Sequence, residues 1–195
     1  MKRYSLAIIM AFLLAGCSTT EQKTTVSRSQ TFHPVSEVRF NDTNFQRGKT
    51  VDLIEMVKYV YTPKTKSSSE TVSRQKVTLF YDKNIRDMSL QQRMELRQRS
   101  YQRSANTLAE LNIRDQTLYS TVIYRPSAQY NYWGVEVTKG KDLNQCGFVE
   151  FQYAYAVTTK KTGSDEKTFL NSQVYPHARQ SLQQLQQQPW LWQCY

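Results

Sequence analysis

One stretch limits the fold more than any other: residues 146–158, CGFVEFQYAYAVT. Strict alternation puts Val149, Phe151, Tyr153, Tyr155 and Val157 on one side of an extended chain. The opposite side carries Glu150, Gln152, Ala154 and Ala156, which suits water or small-residue packing. A strand with one apolar face must lie in a sheet covered on that face, and such alternation marks antiparallel sheets.

Other segments supply the partner strands. Val35 to Phe40 reads as a short first strand, and Asn41 to Lys49 as a turn. Thr50 to Tyr61 is rich in Val, Ile and Tyr, and Lys76 to Tyr81 alternates; the two predict a hairpin with a long polar loop. Gln116 to Tyr124 and Tyr130 to Lys139 read as two more strands. Ser89 to Leu111 reads as the clearest helix. Ser89 and Gln92 fit a capping box, in which each side chain bonds an orphan N–H of the first turn. Leu90, Met94, Tyr101, Ala105, Leu108 and Leu111 fall on one helical stripe, with Asn112 as its stop. Pro176 to Gln188 predicts a second helix, closed by Pro189 and followed by Trp190, Leu191 and Trp192. The expected class is α+β: an antiparallel sheet of about five strands, with one long helix and a C-terminal helix packed on one side.

The first residues set the compartment. Lys2 and Arg3 precede an apolar run from Leu6 to Leu14, which Ala15, Gly16 and Cys17 follow. The run is far short of the roughly 20 residues that span a bilayer. A removed signal peptide is the better reading. Leu14-Ala15-Gly16-Cys17 resembles the lipobox of bacterial lipoproteins, a resemblance confined to residues 1–18. It implies that Cys17 is acylated and becomes the first residue of the mature chain. Ser18 stands where the family carries an aspartate for inner-membrane retention, which implies the outer membrane, facing the periplasm. The expected organisation is a signal peptide over residues 1–16, a lipidated Cys17 with a polar tether over 17–32, and a single α+β domain over 33–195.

With Cys17 acylated, two of the three cysteines remain, Cys146 and Cys194. An even pair in an oxidising compartment predicts a disulfide. No metal is expected, because Cys146, Cys194, His33 and His177 lack ligand spacing. No phosphate-cradling glycine loop appears, and no cofactor is expected.

Lys and Arg number 26 against 16 Asp and Glu, a formal net charge of +10. That balance suits acidic partners such as lipopolysaccharide, DNA or anionic glycan. Arg93, Arg97, Arg99 and Arg103 crowd the expected long helix and form a candidate polyanion site. They point around much of the helix, so a purely structural role stays open. Tyr130, Tyr132 and Trp133 sit together, as either sugar- or base-binding aromatics or simple strand formers.

Three short motifs fall in the order found in penicillin-binding proteins and serine β-lactamases: Ser73-Arg74-Gln75-Lys76, Ser104-Ala105-Asn106 and Lys161-Thr162-Gly163. Their context fails. The first leads into an extended run instead of a buried helix, and the third lies in a charged turn. Glu136 and Glu150 could be assembled into a carboxylate pair, but both can point outward from strands. The expectation is a non-catalytic, lipid-anchored envelope module that docks on a protein partner, with polyanion binding as the alternative.

Overall fold

The computed structural model describes residues 31–64, 74–143, 146–158 and 165–195. Cys17, Ser73 and residues 161–163 lie outside them. The described chain is mainly β. Its large sheet has eight antiparallel strands: β2 (Glu37–Phe40), β3 (Thr43–Asp52), β4 (Met56–Pro63), β5 (Lys76–Asp82), β6 (Thr107–Arg114), β7 (Thr117–Tyr124), β8 (Tyr132–Leu143) and β9 (Gly147–Thr158). Their order is β2-β3-β4-β5-β9-β8-β7-β6, which leaves β2 and β6 at the edges. A separate ribbon joins β1 (Phe32–Pro34) to β10 (Trp192–Cys194).

This corrects the expected α+β class with about five strands. Two turns account for much of the difference. Asn41-Asp42 (φ 48° and 55°) and Asp115-Gln116 (φ 49° and 54°) are two-residue hairpin turns with both central residues left-handed. They pair Phe40 with Thr43 and Arg114 with Thr117. The first turn therefore costs only two residues, and β3 occupies most of the segment read as a turn. The second folds residues 107–114 back as a strand, where the helical stripe had been carried through Leu108 and Leu111. The long helix, α1 (Leu90–Gln102), is correspondingly shorter.

The apolar face of β9 is the core. Val149, Phe151 and Tyr153 pack with Val77 and Leu79 of β5, Val137 of β8, Tyr61 of β4 and Phe45 of β3. A second cluster gathers Ile123, Trp133 and Val135. The C-terminal segment covers this face: α2 (Glu166–Phe169), a π-helical turn (Leu170–Val174) and α3 (Tyr175–Gln187). Leu185 enters the first cluster; Leu170, Val174 and Ala178 enter the second.

The ribbon closes one end of the same face. Phe32, which sequence placed at the end of the tether, is buried and stacks on Tyr81 at 4.4 Å. Cys194 is disulfide-bonded to Cys146, just before β9. Gly147 follows at φ 128°, and a Cβ there would lie 2.3 Å from the Asp82 carbonyl oxygen, so only glycine fits. Lys139 and Lys141 extend from β8 beneath the tail, 4.3 and 4.7 Å from the Trp190 ring. The Lys139 ammonium donates to the Gln188 carbonyl at the end of α3.

Helix α1 lies on the opposite face. Arg97 meets Glu150, whose neighbours Val149 and Phe151 point into the core. Side chains of successive strand residues leave on opposite faces. The two long helices therefore sandwich the sheet, where sequence reasoning put both on one side.

Candidate functional site

The second face is polar, and α1 covers only part of it. The helix starts on the expected capping box: the Ser89 hydroxyl accepts from the Gln92 N–H at 3.2 Å, and Gln92 Oε1 accepts from the Ser89 N–H at 2.9 Å. Its inward stripe is Arg93, Arg97 and Tyr101, each four residues from the last. Arg93 is buried; it bonds Asp82 Oδ2 at 2.6 Å and lies 4.2 Å over the Phe148 ring. Arg97 pairs with the buried Glu150. Burial opposes the Arg97 charge, but Glu150 outweighs it and holds the guanidinium above its ordinary range.

The four arginines of the candidate polyanion site therefore do not form one surface. Arg93 and Arg97 are occupied inside, while Arg99 and Arg103 face solvent.

Beyond the C-terminal end of α1 the face opens into a basin of about 580 Å³. Its floor is Gly134, Ala154 and Ala156, which the β8–β9 register sets side by side. The Tyr124 ring lies over Gly134; a Cβ there would come within 3.4 Å of it. Tyr130 and Tyr132 form one wall, with ring centroids 5.5 Å apart. Arg74, Gln75 and Lys76 form another, and the Arg74 guanidinium sits 4.1 Å from the Tyr132 ring. Ser104 and Asn106, from the link between α1 and β6, and Thr107, the first residue of β6, make the rim. Arg125 also borders the basin, but Glu166 holds it at 2.8 Å.

Inside the basin, the Tyr124 hydroxyl donates to Glu136 Oε2 at 3.0 Å. Burial raises the Tyr124 phenol above its ordinary value, and the nearby Glu136 carboxylate adds to the shift. Burial likewise raises Glu136, against the opposing Tyr124 hydrogen bond. Glu136 and Glu150 thus share the polar face, each tied to a different partner. Lys76, Ser104 and Asn106 of the short motifs meet at the basin, but Lys76 comes from a strand, so no helix aims it at a serine.

The edge strand β6 is the second feature. The two-residue turn makes Arg114–Thr117 a hydrogen-bonded pair, so Asn112, Glu110 and Leu108 also exchange bonds with β7. Ala109, Leu111 and Ile113 must then direct both backbone groups outward, where no backbone partner is seen among the described residues. A groove of about 440 Å³ runs along this edge, between Gln98 and Tyr101 of α1 and Ala178, Arg179 and Leu182 of α3.

Among the described residues no cluster of three or more His, Cys, Asp or Glu could hold a metal. No described helix is long and apolar enough to cross a membrane.

A protein-family model matches residues 32–190, from β1 to Trp190, and so takes in the core, the basin and β6. The chain belongs to that family. A protein of Haemophilus influenzae (strain ATCC 51907 / DSM 11121 / KW20 / Rd), described as "Uncharacterized protein", is 28% identical over 156 residues, covering 77% of this chain and 76% of the relative.

Sequence reasoning singled out Tyr130 and Tyr132 but not their partners in space. Tyr124, Gly134 and Arg74 gave no signal until the register brought them together. The β6 edge gave no clear sign, because the Asp115-Gln116 turn that ends it lacks the glycine that usually flags a two-residue hairpin.

Proposed function

We propose that the protein is a lipid-anchored module of the bacterial cell envelope, held to the outer membrane through Cys17 and facing the periplasm, that docks on a protein partner. The observation that carries the docking is the outward edge of β6. Among the described residues, Ala109, Leu111 and Ile113 turn backbone groups without a backbone partner toward a groove flanked by two helices. An extended segment of a partner could add there as a ninth strand, with main-chain hydrogen bonds supplying affinity and the groove selecting side chains. The Leu14–Cys17 pattern supports the anchor, and the Cys146–Cys194 bridge fits an oxidising compartment.

Ala109→Pro removes one outward N–H without breaking a bond to β7. In a crosslinked pull-down of the lipidated protein from its native membrane, this variant is expected to lose the partner that the wild type captures. Retention of that partner contradicts the docking edge. Fatty-acid labelling checks the anchor separately: Cys17→Ser should carry no label, and undiminished label overturns the lipoprotein reading.

A further inference from the structure

We infer that the end of the sheet where β1 enters the domain is a membrane-contact surface, with Leu53, Ile54 and Ile85 seated in the headgroup layer of a phospholipid bilayer. The contact presupposes the Cys17 anchor proposed above and shares no residue with the β6 edge.

Two loop tips build the surface. Leu53 and Ile54, 55% and 83% exposed, lie in the turn between β3 and β4. Ile85, 67% exposed, lies in the link from β5 to α1. The tips are joined: the Lys83 N–H donates to the Glu55 carbonyl at 2.9 Å, the Lys83 ammonium donates to the Ile54 carbonyl at 2.6 Å, and Arg86 pairs with Glu55 at 3.0 Å. Single exposed apolar residues are ordinary; three gathered on two joined loops form a patch.

The backbone at Ile54 points the same way. Its φ is 72°, where a β-branched residue is disfavoured and Asn or Gly is usual. The Asp52 carboxylate holds this conformation by accepting from the Ile54 N–H at 2.8 Å, and the Leu53 N–H donates to the Met56 carbonyl at 2.7 Å. A turn held this firmly around an exposed isoleucine presents that side chain for contact.

The position of the tether selects the occupant. Phe32 stacks on Tyr81, one residue from Met56–Asp82, the last β4–β5 pair before the two tips. From there the chain runs back along the sheet, because the Tyr61 hydroxyl donates to the Val35 carbonyl at 2.8 Å. It therefore comes in from the end that carries the tips. Residues 17–30 can hold this end no farther than roughly 50 Å from an acylated Cys17. Tyr195, 67% exposed, lies beside the entry, where its carbonyl accepts from the Thr31 N–H at 2.8 Å. An aromatic ring with a polar tip suits the headgroup level, and apolar loop tips beyond the last strand pair suit the acyl boundary beneath it.

Depth-dependent fluorescence quenching tests this on the full-length protein, purified from bacterial membranes and reconstituted into vesicles of phosphatidylethanolamine and phosphatidylglycerol. Ile54→Cys carries a bimane label, as does Thr158→Cys, an exposed control at the far end of β9. Lipids brominated near the headgroup should quench the label at position 54 about twofold and leave that at 158 unchanged. With the label on Leu53→Cys instead, Ile54→Asn together with Ile85→Ser should remove the quenching without lowering the melting temperature, since asparagine suits the left-handed turn. Mass spectrometry of the same sample reports the acyl chain. A protein without it overturns the anchor and this contact together. An acylated protein with an unquenched label at 54 overturns the contact alone and leaves the patch to a protein partner. Equal quenching at 54 and 158, or quenching that survives the polar substitutions, also overturns it.

Discussion

The two faces of the sheet are built on different terms. One is dry: Val, Leu, Phe and Tyr side chains interlock beneath a helix and a bridged tail. The other is wet: its helix docks through arginines on carboxylates, and the area beside that helix is left open. Apolar packing is non-directional and tolerates a continuous surface. Buried ion pairs stabilise only when each charge keeps its partner, so they fix α1 in one position without sealing the face. The contrast assigns stability mainly to the dry side, and leaves part of the wet side uncovered by α1.

Opening the bridge should give the largest effect. Its loop of 48 residues contributes roughly 4 kcal/mol in the chain-entropy model. Cys146→Ser or Cys194→Ser is expected to lower stability by about 2–5 kcal/mol in urea titrations. Hydrogen exchange should loosen in the β1–β10 ribbon and α3 while α1 stays protected. Equal loosening of α1 would break the division between the faces.

A second variant sharpens the contrast from the wet side. Glu150→Gln leaves Arg97 partly buried without its direct ion-pair partner and should cost about 2–3 kcal/mol, less than a fully dry pair because Arg97 keeps some water contact and the more distant Asp82 charge. The double variant Glu150→Leu with Arg97→Met should recover most of that loss. A double variant as weak as the single one would mean that the ion pair itself stabilises the face, contrary to the comparison.

Much of the dry face was legible in the chain, and little of the wet one. The alternation of residues 146–158 announced the core face of β9, and Ser89 announced the start of α1. The helix was extended too far because Leu108 and Leu111 are three residues apart, a spacing that helices and accidents share. The turn that ends β6 uses Asp115-Gln116, without the glycine that usually flags such a hairpin. Glu150 read as an outward charge because its partner, Arg97, lies 53 residues away in sequence. Apolar residues show their face through periodicity, whereas a polar residue on a strand looks the same whether it meets water or an arginine.

Lys139 tests the dry side by pH. Burial pushes its ammonium down to about 8, helped by the neighbouring Lys141 charge. An unfolded lysine titrates near 10.4. Between these values the unfolded chain holds the extra proton, so this group's contribution to stability rises with pH across the window of about 8 to 10.4. In urea titrations, stability relative to Lys139→Met should be lower at pH 7 than at pH 10, by on the order of 2 kcal/mol. A constant difference would mean that Lys139 is not desolvated.

The smallest effect is expected at the exposed arginines. Arg99→Glu with Arg103→Glu should change stability by less than about 0.5 kcal/mol. Its elution from heparin should drop no further than that of Arg39→Glu with Lys49→Glu, a control of equal charge change on another surface. A clearly larger drop would restore α1 as a polyanion site.

Among the described residues the sheet ends in β6, whose outer edge has no backbone partner. Residue-resolved hydrogen exchange along β6 in the isolated protein tests it most directly. Protection should alternate: the amides of Leu108, Glu110 and Asn112 exchange slowly, and those of Ala109, Leu111 and Ile113 exchange at nearly the rate of an unstructured chain. Uniform protection along residues 108–113 would show the edge already covered, and uniform fast exchange would show that β6 is not a strand; either result contradicts the claim.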